Sequence, residues 1–192
     1  GVLFLDELPE FPRHVLESLR QPMEDGVVSI SRAKGSVTYP ASFILVGASN
    51  PCPCGFFGDL RRACTCLPGQ ISRYQKRVSG PILDRIDIHI DVPSVETQKL
   101  ITKKEGTKSE SSSMIQKRVQ AARNIQTKRF KGISIKSNSE MATAAVKKFC
   151  KLSNECKSML ISAVSTMSLT ARSYFKVIKI ARTVADLAQK GE

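Results

Sequence analysis

The chain opens on an unbroken apolar run, Val2 to Leu5, that ends abruptly in Asp6 and Glu7. A short run without polar alternation predicts a strand buried on both faces, as in parallel sheets. Such a strand needs neighbours on both sides, and the chain begins at Gly1, so the sequence predicts a piece of a longer protein. Residues 11–26 predict one helix, with Pro12 near its first turn, Val15, Leu16 and Leu19 on one face, and Pro22 to stop it. Val28 and Ile30 then face Val37 and Tyr39 around an Ala33, Lys34, Gly35 turn. This is a hairpin with Arg32 and Lys34 at its tip. A second buried strand follows over residues 42–49 and leads into Asn50.

Residues 51–67 are rich in Cys, Pro and Gly and predict a loop. A helix from Pro68 to Val78 follows, with Ile71, Tyr74 and Val78 inward. Residues 80–85 predict a tight turn, and Ile86, Ile88, Ile90 and Val92 alternate with Asp87, His89 and Asp91 as in a strand with one wetter face. His89 carries no assigned role. Residues 94–112 read as a linker.

The remainder is helical. Ser113 caps a helix reaching Phe130, Ser137 and Glu140 form a capping-box pattern, and Ser153 caps a third helix striped by Cys156, Met159, Leu160, Ala163 and Val164. Ser168 or Thr170 caps the last, whose face is Tyr174, Val177, Ile178, Ala181, Val184, Ala185 and Ala188. The expected organisation is an α/β core over 1–93, a linker over 94–112 and a four-helix bundle over 113–192.

Charge divides along the same boundary. Residues 1–93 hold ten Lys and Arg against ten Asp and Glu, and residues 94–192 hold twenty against seven, so the net +13 lies entirely in the second half. That excess fits a polyanion such as DNA, and equally a set of solvated helix surfaces. No run approaches the roughly 18 apolar residues of a membrane span, and the N-terminus lacks a signal-peptide layout, which predicts a cytoplasmic protein without a membrane partner. Cys52, Cys54, Cys64 and Cys66 are packed closely, and in that compartment they read as a Zn²⁺ site or as reduced thiols. Cys150 and Cys156 read as ordinary small core residues.

Asp6 and Glu7 stand just past a strand's C-terminal end, where open α/β sheets place their ligands. A hard cation wants oxygen ligands and a hydrolytic water wants a proton acceptor, so Asp6 can serve Mg²⁺ and Glu7 the water. The plain alternative is a strand end followed by a helix cap. Asn50 at the end of the second strand suits an amide that contacts phosphate, or a turn before Pro51. Arg85 is placed to meet a neighbouring subunit's nucleotide, or to form a surface ion pair. Arg172, in the first turn of the last helix, stands where an anion is favoured and a cation is not. Arg32 and Lys34 suit a phosphate backbone, or a solvated turn.

The stretches GVLFLDELPEF, LRQPMEDG, ISRAKG, NPCPCGFFGD, SGPILDRIDIHIDVP and LTARSYFKVIKIARTVADL together resemble the Mg-chelatase-like AAA+ ATPases of bacteria, the YifB/ComM group, almost end to end. The resemblance implies a partial P-loop NTPase core without its Walker A half, followed by an α-helical lid. It makes Asp6 and Glu7 the Walker B pair, Asn50 sensor 1, Arg85 the arginine finger, Arg172 sensor 2, and the Arg32 and Lys34 tip a pore hairpin. It further implies ATP and Mg²⁺ as cofactors, a hexameric ring, and a DNA branch-migration or helicase role in natural transformation or recombination. The Gly-rich Walker A loop lies outside the sequence, so this fragment alone is expected to be inactive. Two rivals stand beside that reading: a chelatase-like motor that remodels a protein, and a non-catalytic module binding zinc and nucleic acid.

Overall fold

A computed structural model describes residues 1–93, 110–167 and 170–190. The chain divides into two compact units, residues 1–97 and 98–192. The expected linker falls largely outside the described residues, as does Ser168.

The first unit runs β1 (Val2–Leu5), a 3-10 turn (Leu8–Glu10), α1 (Arg13–Ser18), α2 (Arg20–Asp25), β2 (Val27–Arg32), β3 (Gly35–Pro40), β4 (Ile44–Gly47), α3 (Pro68–Gln75) and α4 (Gly80–Leu83). β1 and β4 pair in parallel, Val2 opposite Ile44 through Leu5 opposite Gly47. β2 and β3 form the antiparallel hairpin, with Val28 opposite Tyr39 and Ile30 opposite Val37 as the alternation requires. On its other face Ser29 and Thr38 share a hydrogen bond of 3.0 Å, and Ser31 and Ser36 one of 3.1 Å.

The core of this unit is Leu8, Leu16, Val78 and Ile82, with Leu5, Phe11 and Leu19 packed against it. Leu16 and Ile82 are each 1% exposed, and burial of such a side chain stabilises by about 1.5–3 kcal/mol. β1 and β4 are covered on one side only. Val2, Phe4, Ile44 and Val46 lie open, which corrects the expectation of strands buried on both faces.

Two further expectations are corrected here. The single helix over 11–26 is broken at Leu19, because Pro22 has no N–H to give Ser18; instead it sits in the first turn of α2, where an N–H has no helical acceptor anyway. Gly26 closes α2 in the left-handed region at φ 67°, donating to Pro22 O at 3.0 Å. Residues 86–93 form no strand. Alternation there finds no ladder among the described residues, and Ile88, Ile90 and Val92 are exposed, while the preceding turn is the short helix α4.

The second unit contains α5 (Ser112–Arg129), a 3-10 turn (Asn138–Glu140), α6 (Thr143–Phe149), α7 (Asn154–Met167) and α8 (Ala171–Leu187). Ser111, two residues before the expected cap, accepts the Met114 N–H at 3.4 Å. Ser137 and Glu140 bond at 3.3 Å but close the 3-10 turn, and α6 starts later. Ser153 and Thr170 cap as expected, accepting from Cys156 and Ser173 at 3.2 Å each. Phe130, Met141, Val146, Cys150 and Ile178 form the core, with Phe130 edge-on to Phe149 at 5.4 Å. Leu160, Ala163 and Val164 of α7 turn partly inward, but Cys156 and Met159 are exposed.

α8 is rotated relative to its apolar stripe. Val177, Ala181, Val184 and Ala188 are exposed, and Asp186 is fully buried in their stead. Its carboxylate accepts from both terminal nitrogens of Arg129, from Arg182 at 3.1 and 3.2 Å, and from the Asn138 amide at 2.8 Å. Asn138, 1% exposed, is held further by Arg129 at 2.9 Å and by Thr183 at 3.1 Å. Burial pushes the Asp186 carboxyl up, but the Arg129 and Asn138 bonds outweigh it and leave it below the usual range. A buried polar group is tolerated only when satisfied this fully.

Candidate active site

Because β1 and β4 run parallel, Asp6 and Glu7 follow one strand and Asn50 follows the other at the same end of the sheet. Past its last step, where Leu5 faces Gly47, Ala48 N–H donates to Leu5 O at 2.9 Å and Leu8 N–H donates to Ala48 O at 2.8 Å. Asp6 and Glu7 therefore occupy a loop whose two ends are both bonded to the continuation of β4. Asp6, Glu7 and Asn50 are all exposed. Asp6 Oδ1 accepts the Glu7 N–H at 2.9 Å. Glu7 itself lies in the left-handed region, φ 50° and ψ 46°, which costs a residue with a Cβ roughly 1–2 kcal/mol. Such a conformation persists only where its surroundings impose it, and here buried Leu8 and Pro9 follow directly.

Behind the acidic turn lies Tyr74 of α3, 5% exposed. Burial raises its phenol, as does the charge of Glu10, with smaller contributions of the same sign from Glu7 and Cys52. Arg77, just past the end of α3, ties that segment to the Leu8–Glu10 turn, donating to Glu10 at 2.6 Å and to Pro9 O at 3.4 Å.

The four clustered cysteines converge, with all four sulfurs within 4.8 Å of one another. Cys52 Sγ stands 3.4 Å from Cys54 and 3.7 Å from Cys64, and Cys54 stands 3.5 Å from Cys64. Amide N–H groups of Phe56 and Thr65 draw the Cys54 thiol down to about 5. The Cys66 amide pulls the Cys64 thiol the same way, but burial and its three sulfur neighbours push it up to about 12. Cys150, by contrast, is an ordinary buried thiol raised by burial.

Arg85 is engaged inside its own unit. One terminal nitrogen meets the Glu24 carboxylate and the other donates to Pro81 O at 2.7 Å, leaving the side chain 13% exposed. Its Nε is buried without a hydrogen-bond partner. Arg172 belongs to the second unit, exposed in the first turn of α8. Arg32 and Lys34 are exposed at the hairpin tip.

One basic surface escapes sequence reasoning. A cleft of about 710 Å³ between residues 9–13 and α3 with the turn that follows it is lined by Arg13, Arg73, Lys76 and Arg77 against Glu10. It lies in the charge-balanced half, where a sum over the segment hides it. The signal was Arg73, Lys76 and Arg77 at spacings of three and four residues, running from α3 into the turn after it.

The parallel β1–β4 pair, the antiparallel hairpin and the separate helical unit define a mixed α/β protein. Two family models cover nearly all of the chain: "Magnesium chelatase, subunit ChlI" matches residues 1–100, and "Magnesium chelatase, subunit ChlI C-terminal" matches residues 109–192. The chain is 41% identical over 189 residues to YifB of Escherichia coli strain K12 and 41% over 187 residues to "Competence protein ComM" of Haemophilus influenzae. YifB of Salmonella typhimurium is 38% identical over 187 residues. These alignments cover 97–98% of this chain but 35–36% of each relative, so the chain spans about a third of their length. The chain belongs to the Mg-chelatase-like family, in its YifB/ComM group. Among the described residues no helix is long and apolar enough to cross a membrane.

Proposed function

We propose that this chain is the hydrolytic and sensing portion of an ATP-driven AAA+ ring motor that moves on DNA, of branch-migration or helicase type. The observation that supports the reading is the parallel β1–β4 register, in which Asp6 and Glu7 follow one strand and Asn50 the other at the same end of the sheet. The donor chemistry fits the cofactors: two adjacent carboxylates and an amide, all open to solvent, suit a hard cation that keeps much of its water shell. Asp6 would hold Mg²⁺ through water. Bound there, the metal neutralises charge on the phosphate oxygens of ATP. Glu7 accepts the proton of the attacking water at its carboxylate, and Asn50 orients that water and the terminal phosphate through its amide.

Arg85 acts on a neighbouring subunit's phosphate as the arginine finger once it exchanges Glu24 for a phosphate oxygen. Glu24 sits at the end of α2, immediately before the hairpin, so that exchange is felt at the root of Arg32 and Lys34. Arg172 supplies the second cation from the helical unit, which serves as a lid. A site completed by a neighbour needs a ring of subunits, and the family resemblance implies that the ring is a hexamer. DNA is favoured over a protein partner by the cationic hairpin tip and the basic second half, and the name of the Haemophilus relative, a competence protein, agrees.

The test is ATP turnover by the full-length protein with and without DNA. Wild type should be stimulated by DNA, and the Arg32→Ala, Lys34→Ala double variant should lose that stimulation and reduce the salt slope of DNA binding by about one to two units. Turnover indifferent to DNA in both proteins would remove DNA from the proposal and leave the protein-remodelling motor.

A further inference from the structure

The loop from Pro51 to Leu67 poses a physical question that the nucleotide site does not answer. It is 17 residues long without helix or strand, and Cys52 is its only buried residue, while Phe57, Leu60 and Leu67 are exposed. Apolar burial therefore does not hold it. Long structureless loops in compact units are uncommon and usually have some other constraint. Yet this one is well shaped. Gly55 and Gly58 make left-handed turns at φ 81° and 83°, Gly55 N–H donates to Cys52 O at 3.0 Å, and Asp59 Oδ1 accepts the N–H groups of Arg61 and Arg62 at 2.7 and 3.1 Å.

What these turns bring together is sulfur. A tetrahedral Zn²⁺ with thiolate arms of about 2.3 Å requires its sulfurs to stand about 3.8 Å apart. The separations are 3.4, 3.5 and 3.7 Å, and the fourth sulfur lies within 4.8 Å of the rest. These contacts are far longer than a covalent bond of about 2.05 Å. Backbone amides surround the cluster, with Phe57 N–H on Cys52 Sγ at 3.3 Å, the kind of outer contact that orients metal-bound thiolates.

We infer that Cys52, Cys54, Cys64 and Cys66 bind one Zn²⁺ in a closed, structural site that staples the loop following Asn50 against α3. Binding displaces the thiol protons to solvent, and no position is left for water or substrate. The staple acts at both ends of the loop. Cys52 is two residues beyond Asn50, and Gln75 of α3 donates to Pro51 O at 3.2 Å between them. Cys66 precedes Leu67, whose N–H is taken by Gln70 at 2.9 Å as α3 begins. The metal thereby sets the backbone that carries Asn50, and in this respect the inference rests on the nucleotide site proposed above.

The test is metal content of the native full-length protein, purified without chelator or metal-affinity resin. The expected result is about one zinc per chain, lost below about 0.2 in Cys54→Ser and Cys64→Ser and retained in Cys150→Ser and Cys156→Ser. Should the serine variants fail to fold, cobalt exchanged into wild type gives the independent measurement, as intense thiolate-to-metal bands and visible bands of a tetrahedral four-sulfur site. Hydrogen exchange reads the staple itself: removal of zinc should deprotect residues 50–67 at least tenfold while α5–α8 stay unchanged. Zinc-free protein with four titratable thiols, or iron in its place, overturns the assignment. Bound zinc without a change in protection overturns the staple. None of these readings depends on ATP turnover, so a failed motor proposal and a failed zinc proposal are distinguishable.

Discussion

Under the proposed motor, Glu7→Gln in the full-length protein should lower ATP turnover by about 100-fold or more, the usual worth of a positioned general base. The substitution keeps size and hydrogen-bonding capacity but removes the proton acceptor. Backbone geometry should survive, because the left-handed turn at Glu7 is imposed by the Leu8 N–H bond to Ala48 O and by the Asp6 carboxylate on the Glu7 N–H. Nucleotide affinity should therefore stay within a few-fold of wild type. This separation of turnover from binding is what distinguishes a catalytic carboxylate from a strand-end cap. Equal turnover in variant and wild type would end the enzymatic reading. Single-turnover hydrolysis alongside equilibrium nucleotide binding makes the measurement.

Asp186→Ala should destabilise the helical unit by about 3–5 kcal/mol, the cost of breaking a buried ion pair from one side. Arg129 and Arg182, with side chains 12% and 13% exposed, would keep their charge without the carboxylate, and Asn138 would lose one of its acceptors. Stabilities of whole domains are about 5–15 kcal/mol, so the loss is a large part of the total. The same residue fixes a pH dependence. Its carboxyl titrates below the ordinary value of about 3.9, so its contribution is complete above that value and disappears as pH falls through the lower folded one. Denaturant unfolding of wild type should weaken steeply below about pH 4, and Asp186→Asn should flatten that slope. A loss under about 1 kcal/mol in Asp186→Ala would show that the network is ornamental.

The placement of the candidate site residues past the two strands was legible because it follows from the strand ends. One apolar run closes in Asp6 and Glu7 and another leads to Asn50, and the parallel register puts both strand ends at the same end of the sheet. The hairpin was legible in pairing and in tip, since period-two alternation and a Gly-containing turn leave little freedom. Periodicity misled where polar groups decide the packing. α8 has an apolar stripe, but the satisfied carboxylate of Asp186 pulls a different face inward, and no hydrophobic pattern encodes that. Alternation over residues 86–92 also misled, because a strand pattern without a pairing edge supplies no ladder. The sulfur cluster was legible as spacing, whereas its convergence depends on turns at Gly55 and Gly58 that only coordinates display.

The hairpin carries a mechanical consequence. Every residue from Ser29 to Pro40 is exposed, and the arm keeps its shape through its own ladder and its two hydroxyl pairs. Its foot is narrow: Ala41 N–H donates to Gly26 O at 2.7 Å, beside the helix that holds Glu24. Swinging the arm thus strips almost no apolar surface from shelter, and a small rotation at Gly26 is magnified at Lys34, as a stiff oar amplifies a turn of its rowlock.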